Sequence, residues 1–454
     1  MKTKIKILLL AGVMIASSGL SCRCQTAEQA QLLEPVEITW WGVYDDPENL
    51  GDLINDYHAL HPNIAVNYRK LRAEEFEKEL LNALAEDRGP DIFSIHHTWL
   101  TKYLNKIEPL PPTTKMAYQT VQKSLGIKQE TIIEVKESVS LTEKQLQSAY
   151  LDVVYNDVVR SGKIYGLPLT VDTLVLFYNR DLFNNAGIPL PPKTWVELQE
   201  NVKRLTYQDK SGNLVQSGAA LGTAENIERS PDILTLLMMQ NGAEMASGRS
   251  VTFQVVPPNF NDRSYNPGPE ALRFYTDFNN PTKEVYTWND TFPNSIDAFA
   301  QGKVAMVFGY NYHLPYLETK RQGKLNFGLA AMPQIEGRPQ INLANYWVQS
   351  VSKKSKHINE AWDFLQFISK SGEAKKYLDR TGKPTALRSL IIDQQANDTI
   401  KIFADQLLTA KSWYQGRDAV VMENALKAMI TAVNQSTPLS DAVGLAAQKI
   451  QQTY

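Results

Sequence analysis

Between residues 36 and 95, three short apolar runs alternate with two helical stripes. This alternation limits the possible folds more than any other feature of the chain. Residues 36–41 read VEITWW, β-branched and aromatic, and Gly42 breaks the run. Leu50, Leu53, Ile54 and Tyr57 then recur at helical spacing until His61-Pro62-Asn63. A second strand is predicted over 64–68 and a second helix around Phe76, Leu80, Ala83 and Leu84. After Gly89-Pro90-Asp91 a third strand spans 92–95. Strand, helix, strand, helix, strand predicts a parallel sheet with helices on both faces, an α/β fold. Ligands of such sheets lie beyond the carboxyl ends of the strands, which here carry residues 41–46 and 96–99.

The stretch 165–195, YGLPLTVDTLVLFYNRDLFNNAGIPLPPKTW, is the most densely marked. A turn at Gly166-Leu167-Pro168 opens it, and the apolar run 174–178 reads as a buried strand. Asp172 stands just before that run, where a carboxylate is costly unless something pairs with it. Leu182 and Phe183 start a short helix that Gly187 stops, and Pro189, Pro191 and Pro192 keep the chain extended. Thr194 and Glu197 predict a capping box. It opens a helix with Trp195, Leu198, Val202 and Leu205 on one face. Residues 113–160 are polar, with one helical candidate capped by Thr142, and are expected to decorate the surface of the first lobe. Further on, 304–308 reads as a strand and 361–368, 420–433 and 439–450 as helices.

The formal net charge of -2 gives no reason to expect nucleic acid or an anionic membrane surface as partner. The two cysteines, Cys22 and Cys24, leave the folded body without a disulfide or a cysteine metal site. Lys2, Lys4 and Lys6 precede an apolar run over 7–15 and small residues at 16–19. This is a signal-peptide pattern over 1–21, too short for the ~20 apolar residues of a membrane span. Leu20-Ser21-Cys22 resembles a bacterial lipoprotein cleavage site, with Cys22 as the lipidated residue, although Gly19 stands where that motif usually has Leu; ordinary secretion is the alternative. Residues 22–35 then form a tether. A P-loop, HExxH and GxSxG are all missing. His96 and His97 are strand neighbours that point apart, so no metal is predicted there.

The order YGLP, an acidic residue, an apolar strand ending YN, then DLF, AG, PP and TW resembles the extracellular solute-binding proteins of ABC importers. The sugar-binding branch, typified by maltose-binding protein, is the nearest match. TWWG, HPNI, GPDIF and FAQGKVAMVFG fall in the same order. The resemblance covers the chain from residue 36 onward, most weakly over 113–160. It implies a two-lobed periplasmic-binding-protein-like fold with a hinged central cleft. Lobe I would hold 36–170 and 345–385, and lobe II 171–344 and 386–454, with crossings near Thr170, Asn345 and Ala386. It further implies a monomer without cofactor, outside the cytoplasmic membrane and held there only by lipid. Such a receptor would capture a carbohydrate and deliver it to an ABC permease.

Sugars offer hydroxyls to hydrogen-bonding groups and C–H faces to aromatic rings, so a sugar site should place rings beside Asp, Glu, Asn or Arg. Trp41 with Asp45, and His97 with Trp99, follow predicted strands. Asp172 and Trp347 stand at crossings, and Tyr310-Asn311-Tyr312 follows the 304–308 strand. Trp413 with Arg417 lies in the tail, and Glu225 in a loop of the second lobe. The resemblance places an acidic ligand-binding residue at Asp172, a stacking ring near Tyr312 and a polar contact near Glu225. Trp99 either packs on its own lobe or touches ligand, and Asp172 either caps a turn or binds. Trp195 and Trp362, on helical stripes, read as core. The alternatives are a polyol, glycerol phosphate or other small solute in the same fold, or a glycosidase using Asp45 and Asp172. A glycosidase needs carboxylates about 5–9.5 Å apart across the bond.

Overall fold

A computed structural model describes residues 33–123, 129–258, 260, 262–321 and 325–454. The predicted signal peptide, Cys22 and most of the tether lie outside the described residues. The first region runs β1 (Val36–Gly42), α1 (Pro47–Leu60), β2 (Ile64–Lys70), α2 (Ala73–Ala85), β3 (Ile92–His96) and β4 (Ile107–Glu108). Next come β5 (Thr113–Lys123), β6 (Gln129–Val139), β7 (Asp172–Thr173) and β8 (Val175–Asn179). α3 (Trp195–Leu205) and α4 (Ser230–Gln240) lead to β9 (Met306–Gly309), β10 (Phe327–Ala330), β11 (Asn342–Asn345) and β12 (Trp347–Ser352). α5 (Ile358–Ile368), β13 (Ala410–Lys411) and α6 (Ala419–Asn434) are the later elements used below.

β2, β1, β3, β12 and β4 form one sheet in that order. β1 pairs parallel with β2 and β3, as the alternation predicts, whereas β12 returns antiparallel beside β3. In the second region the apolar run 174–178 is the centre of an antiparallel sheet, β9-β8-β10. A third sheet, β13-β11-β7, joins distant segments: Asp172 lies opposite Asn345, and Thr173 opposite Ala344. Beside it, Thr170 bridges Thr385.

The buried apolar residues separate along these lines. One cluster takes Leu174 to Leu343 and returns at Ile400, Phe403 and from Tyr414 to Ile450. A second takes Ile38 to Val171, Ala344 to Ile391, and Ala404, Leu407 and Ala410. A third, around Phe76, Leu80, Phe93 and Tyr103, backs the second on the far face of the first sheet. Core membership thus changes between Val171 and Leu174 and between Leu343 and Ala344. In the tail Ala386 to Ile391 pack with the first region, and the chain alternates between cores until Tyr414.

Trp195 and Trp362 are both core, 4% and 0% exposed. Thr194 accepts from the Glu197 amide as predicted, but the Glu197 carboxylate reaches back to the amide of Lys193 rather than of Thr194. Thr142 and Gln145 make the full reciprocal box. Residues 113–123 and 129–139 depart from the sequence reading. They form a long β5–β6 ribbon paired in register from Thr113↔Val139 to Lys123↔Gln129. It stands on α5, with Thr114 donating to Asp363 and the Lys115 amide to Asn359. Among the described residues no helix is long and apolar enough to cross a membrane.

Candidate functional site

Between the two regions lies a cavity of about 290 Å³, lined from both. β1 runs on through Gly42, so Trp41 is still in the ladder, opposite Arg69 on β2. Its ring packs on the third cluster with the Arg69 guanidinium 4.9 Å above it. Trp41 is therefore outside the cavity lining; the chain reaches the cleft at Val43, and Val43, Tyr44 and Asp45 line it. At the end of β3 an offset of one residue in the other direction puts His96 on the cavity and leaves His97 out of its lining. His97 stacks on Tyr346 at 4.6 Å, and its Nδ1 lies 3.3 Å from Asp157 Oδ2. Tyr346 and Ser412 both donate to the same buried Asp157.

The first residue of β12, Trp347, lines the cavity and organises its rings. It meets Tyr44 at 5.4 Å, Trp99 at 5.5 Å and His96 at 5.7 Å, all edge-on. Across the cleft Tyr312 lies nearly parallel to Tyr44, 6.5 Å between centroids and 15° between planes. Both rings keep much of their surface open, Tyr44 55% and Tyr312 46%. Tyr310 stacks behind Tyr312 at 5.6 Å but is fully buried, its hydroxyl donating to Asp232 at 2.7 Å.

The polar groups are held by neighbours. Asp172 accepts from the Thr173 amide through Oδ1 and the Asn311 amide through Oδ2, both at 2.8 Å. Burial pushes its carboxyl up to about 8, although the amides of Thr173, Asn311 and Tyr312 and the charge of Lys383 all favour the anion. Asn311, also on the cavity, donates through its side chain to the Gly382 carbonyl. Asp45 accepts from Tyr377 at 2.8 Å and pairs with Lys383 at 2.6 Å. His96 bonds Asn345 Oδ1 at 3.1 Å; burial holds its imidazole well below the usual range, so it is neutral.

The structure thus brings Asp45, Trp99, Asp172, Asn311, Tyr312 and Trp347 together. Glu225 is on the surface, paired with Lys427, and its neighbour Asn226 braces a loop through Trp288, Asn289 and Phe292. Trp413 packs on Phe253 and Tyr414, and Arg417 is exposed beyond it. The sequence reading missed Tyr44, His96, Arg229, Asn345, Tyr377, Lys383 and Glu423 on this wall. Arg229 is a left-handed residue, φ 56°, immediately before α4. Its signal was faint: an i,i+3 partner at Asp232 and a proline two residues on. Among the described residues no group of three metal-ligating side chains occurs.

Two apolar cores joined by crossing strands, with a ring-lined cavity between them, define a binding protein of the cleft type. The profile of bacterial extracellular solute-binding proteins matches residues 44–375, and the chain belongs to that family, whose members work outside the cytoplasm. It is 24% identical to the multiple sugar-binding protein of Streptococcus mutans over 53% of this chain and 56% of that protein. It is 28% identical to the sn-glycerol-3-phosphate-binding periplasmic protein of Salmonella typhimurium over 50% of each chain. The chain spans about half the length of the curated relatives it matches. Its fold is that of the sugar-binding protein MalE from Xanthomonas citri, with a TM-score of 0.68 at 19% identity, covering 92% of this chain and 97% of that one.

Proposed function

We propose that this protein is an extracytoplasmic receptor that captures a carbohydrate in the cleft and delivers it to an ABC-type permease, held to the membrane through Cys22. The observation that carries the reading is the ring frame of the cavity. Tyr44, Tyr312, Trp99 and Trp347 supply flat apolar faces, and Asp45, Asp172, Asn311 and Asn345 supply hydrogen-bonding groups between them. The sugar-binding names of the streptococcal relative and of the Xanthomonas citri protein that shares the fold fit that frame. The volume of about 290 Å³ suits a small sugar. The ligand bridges the two cores, so it favours the closed arrangement by its differential affinity.

Hydrolysis is disfavoured by the state of the two carboxylates. Asp45 is committed to Lys383 and Tyr377, and Asp172 to two backbone amides. A second reading, an anionic solute such as a glycerol phosphate, is favoured by one observation: the Arg229 guanidinium stands on the cavity wall. A thermal-shift screen against mono- and oligosaccharides tests the proposal, because a ligand of the folded form raises its melting temperature. A shift with at least one neutral sugar, and none of that sugar cleaved on incubation, is expected. A panel without any shift, or cleavage of an oligosaccharide, overturns the reading.

A further inference from the structure

Arg229 would draw an anion into the cleft if its charge were free, and it is not. Nε donates to Asp232 Oδ2 at 2.8 Å and Nη2 to Asp232 Oδ1 at 2.9 Å, a two-toothed pair. The same Nη2 donates to Glu423 Oε1 at 3.0 Å. Two carboxylates from two helices, α4 and α6, therefore enclose one guanidinium, and Glu423 itself lines the cavity. Neither acid is deeply hidden: their side chains are 13% and 32% exposed. The other cation on the wall, Lys383, is matched by Asp45, and His96 is neutral. Helix α6 begins on the cavity at Ala419, but the side chain of Asp418 accepts from the Val421 amide there, so a carboxylate already occupies that terminus. Among the described residues of the lining, every cation is matched or outnumbered by carboxylate.

We infer that Glu423, acting with Asp232, is a specificity determinant that outweighs the charge of Arg229, so that the cleft accepts neutral, hydroxyl-bearing solutes and rejects phosphorylated ones. The inference deepens the carbohydrate reading and rests on it for the neutral ligand, whereas its exclusion of anions stands on the ion-pair geometry alone. Nη1 meets Glu423 Oε2 only at 3.5 Å, which leaves it to donate to a hydroxyl oxygen. The guanidinium thus becomes a rigid donor inside a triad of net charge -1, one cation between two carboxylates, which repels an anion.

The test compares the wild type with Glu423→Gln and Glu423→Asp by calorimetry against glucose 6-phosphate and sn-glycerol 3-phosphate. Glu423→Gln keeps the shape and takes the triad from a net charge of -1 to zero, which removes the repulsion of an anion and leaves the guanidinium free to turn toward it. It is expected to gain about tenfold or more in affinity for at least one phosphate probe, and to lose that gain when salt is raised. Glu423→Asp, which keeps the charge, is expected to reject both probes like the wild type. Near-ultraviolet circular dichroism of each variant checks that the ring frame is intact. If Glu423→Gln has a native spectrum and no gain, the inference is overturned, as it is if the wild type binds either phosphate probe tightly. Should Glu423→Gln prove misfolded, Asp232→Asn replaces it under the same criteria. A gain in phosphate affinity by a protein that binds no neutral sugar would sink the carbohydrate reading and leave the role of Glu423 standing.

Discussion

Tyr312 is the position at which the cleft reading commits to a number. Its ring is 46% exposed. A tyrosine of ~200 Å² therefore has about 100 Å² left for a ligand to cover. At ~25 cal/mol per Å² that surface is worth at most about 2.5 kcal/mol. Partial cover and water loss lower the expected effect to about 1–2.5 kcal/mol, five- to seventyfold in Kd. Tyr312→Ala should weaken the best sugar of the screen by that factor in calorimetry. Stability should change little, because the ring meets Tyr44 only in an offset stack and touches Tyr310 and His313 on one face. Urea denaturation should show a loss below about 1.5 kcal/mol. The Tyr44→Ala, Tyr312→Ala cycle extends the test, since both rings would contact one ligand and their losses should not simply add. An affinity within twofold of the wild type, with native stability, would show that no ligand lies on this ring. A stability loss near 4 kcal/mol would show that the ring belongs to the core.

Three further outcomes are expected. The raised Asp172 carboxyl binds a proton in the folded protein that the unfolded chain releases near pH 4, so this residue lowers stability progressively as pH rises from about 4 to about 8. Melting curves of wild type and Asp172→Asn should diverge in favour of the variant over that range, and a constant gap would remove the claim. Gly166→Ala places a Cβ against Val348 Cγ1, 2.7 Å from Ser350 Oγ and 2.8 Å from the Gln349 carbonyl. Chemical denaturation should report a loss of about 1–3 kcal/mol, and wild-type stability would contradict the packing. Glu225→Ala removes only an exposed pair with Lys427, its acid 73% open. It should leave sugar affinity unaltered and stability within about 0.5 kcal/mol, and a tenfold weaker Kd would return Glu225 to the site.

The strand and helix stripes of the first region were legible because their apolar residues are the ones that end buried: Ile38, Leu50, Leu53, Tyr57, Phe76 and Leu80 are all core. Asp172 was legible for the opposite reason, a charge where an apolar strand begins. The misses are of two kinds. Trp41 and His97 were misplaced, the first two residues short of the cavity and the second one residue past it, because sequence shows that a strand ends but not at which residue its ladder lets go; Gly42 remains paired with Lys70. The β5–β6 ribbon escaped because its buried signal is short: Thr114, Met116 and Ala117 are buried on β5, whereas Glu134 to Val139 on β6 are mostly exposed. Arg229 escaped because its meaning lies in Glu423, 194 residues away. Local spacing carries the pair with Asp232 and nothing of the second carboxylate.

The sheet β13-β11-β7 connects these observations. Its Asp172–Asn345 pair lies where both strands pass from one core to the other, and both residues line the cavity. Asp172 Oδ2 takes the amide of Asn311 from the second region, while Asn345 Oδ1 meets His96 of the first. In the proposed receptor the strands that would bend as the cleft closes are therefore those that hold its polar groups. Ligand contacts at Asp172 and Asn345 then act where a small rotation changes the geometry of the whole wall. Driving such closure from 1:99 to 99:1 requires roughly 5.5 kcal/mol of differential binding. Two hydrogen bonds to these uncharged groups at about 0.5–1.5 kcal/mol each supply part of it. The rings of Tyr44 and Tyr312, which face one another across the cleft, provide the remainder when a flat sugar lies on them.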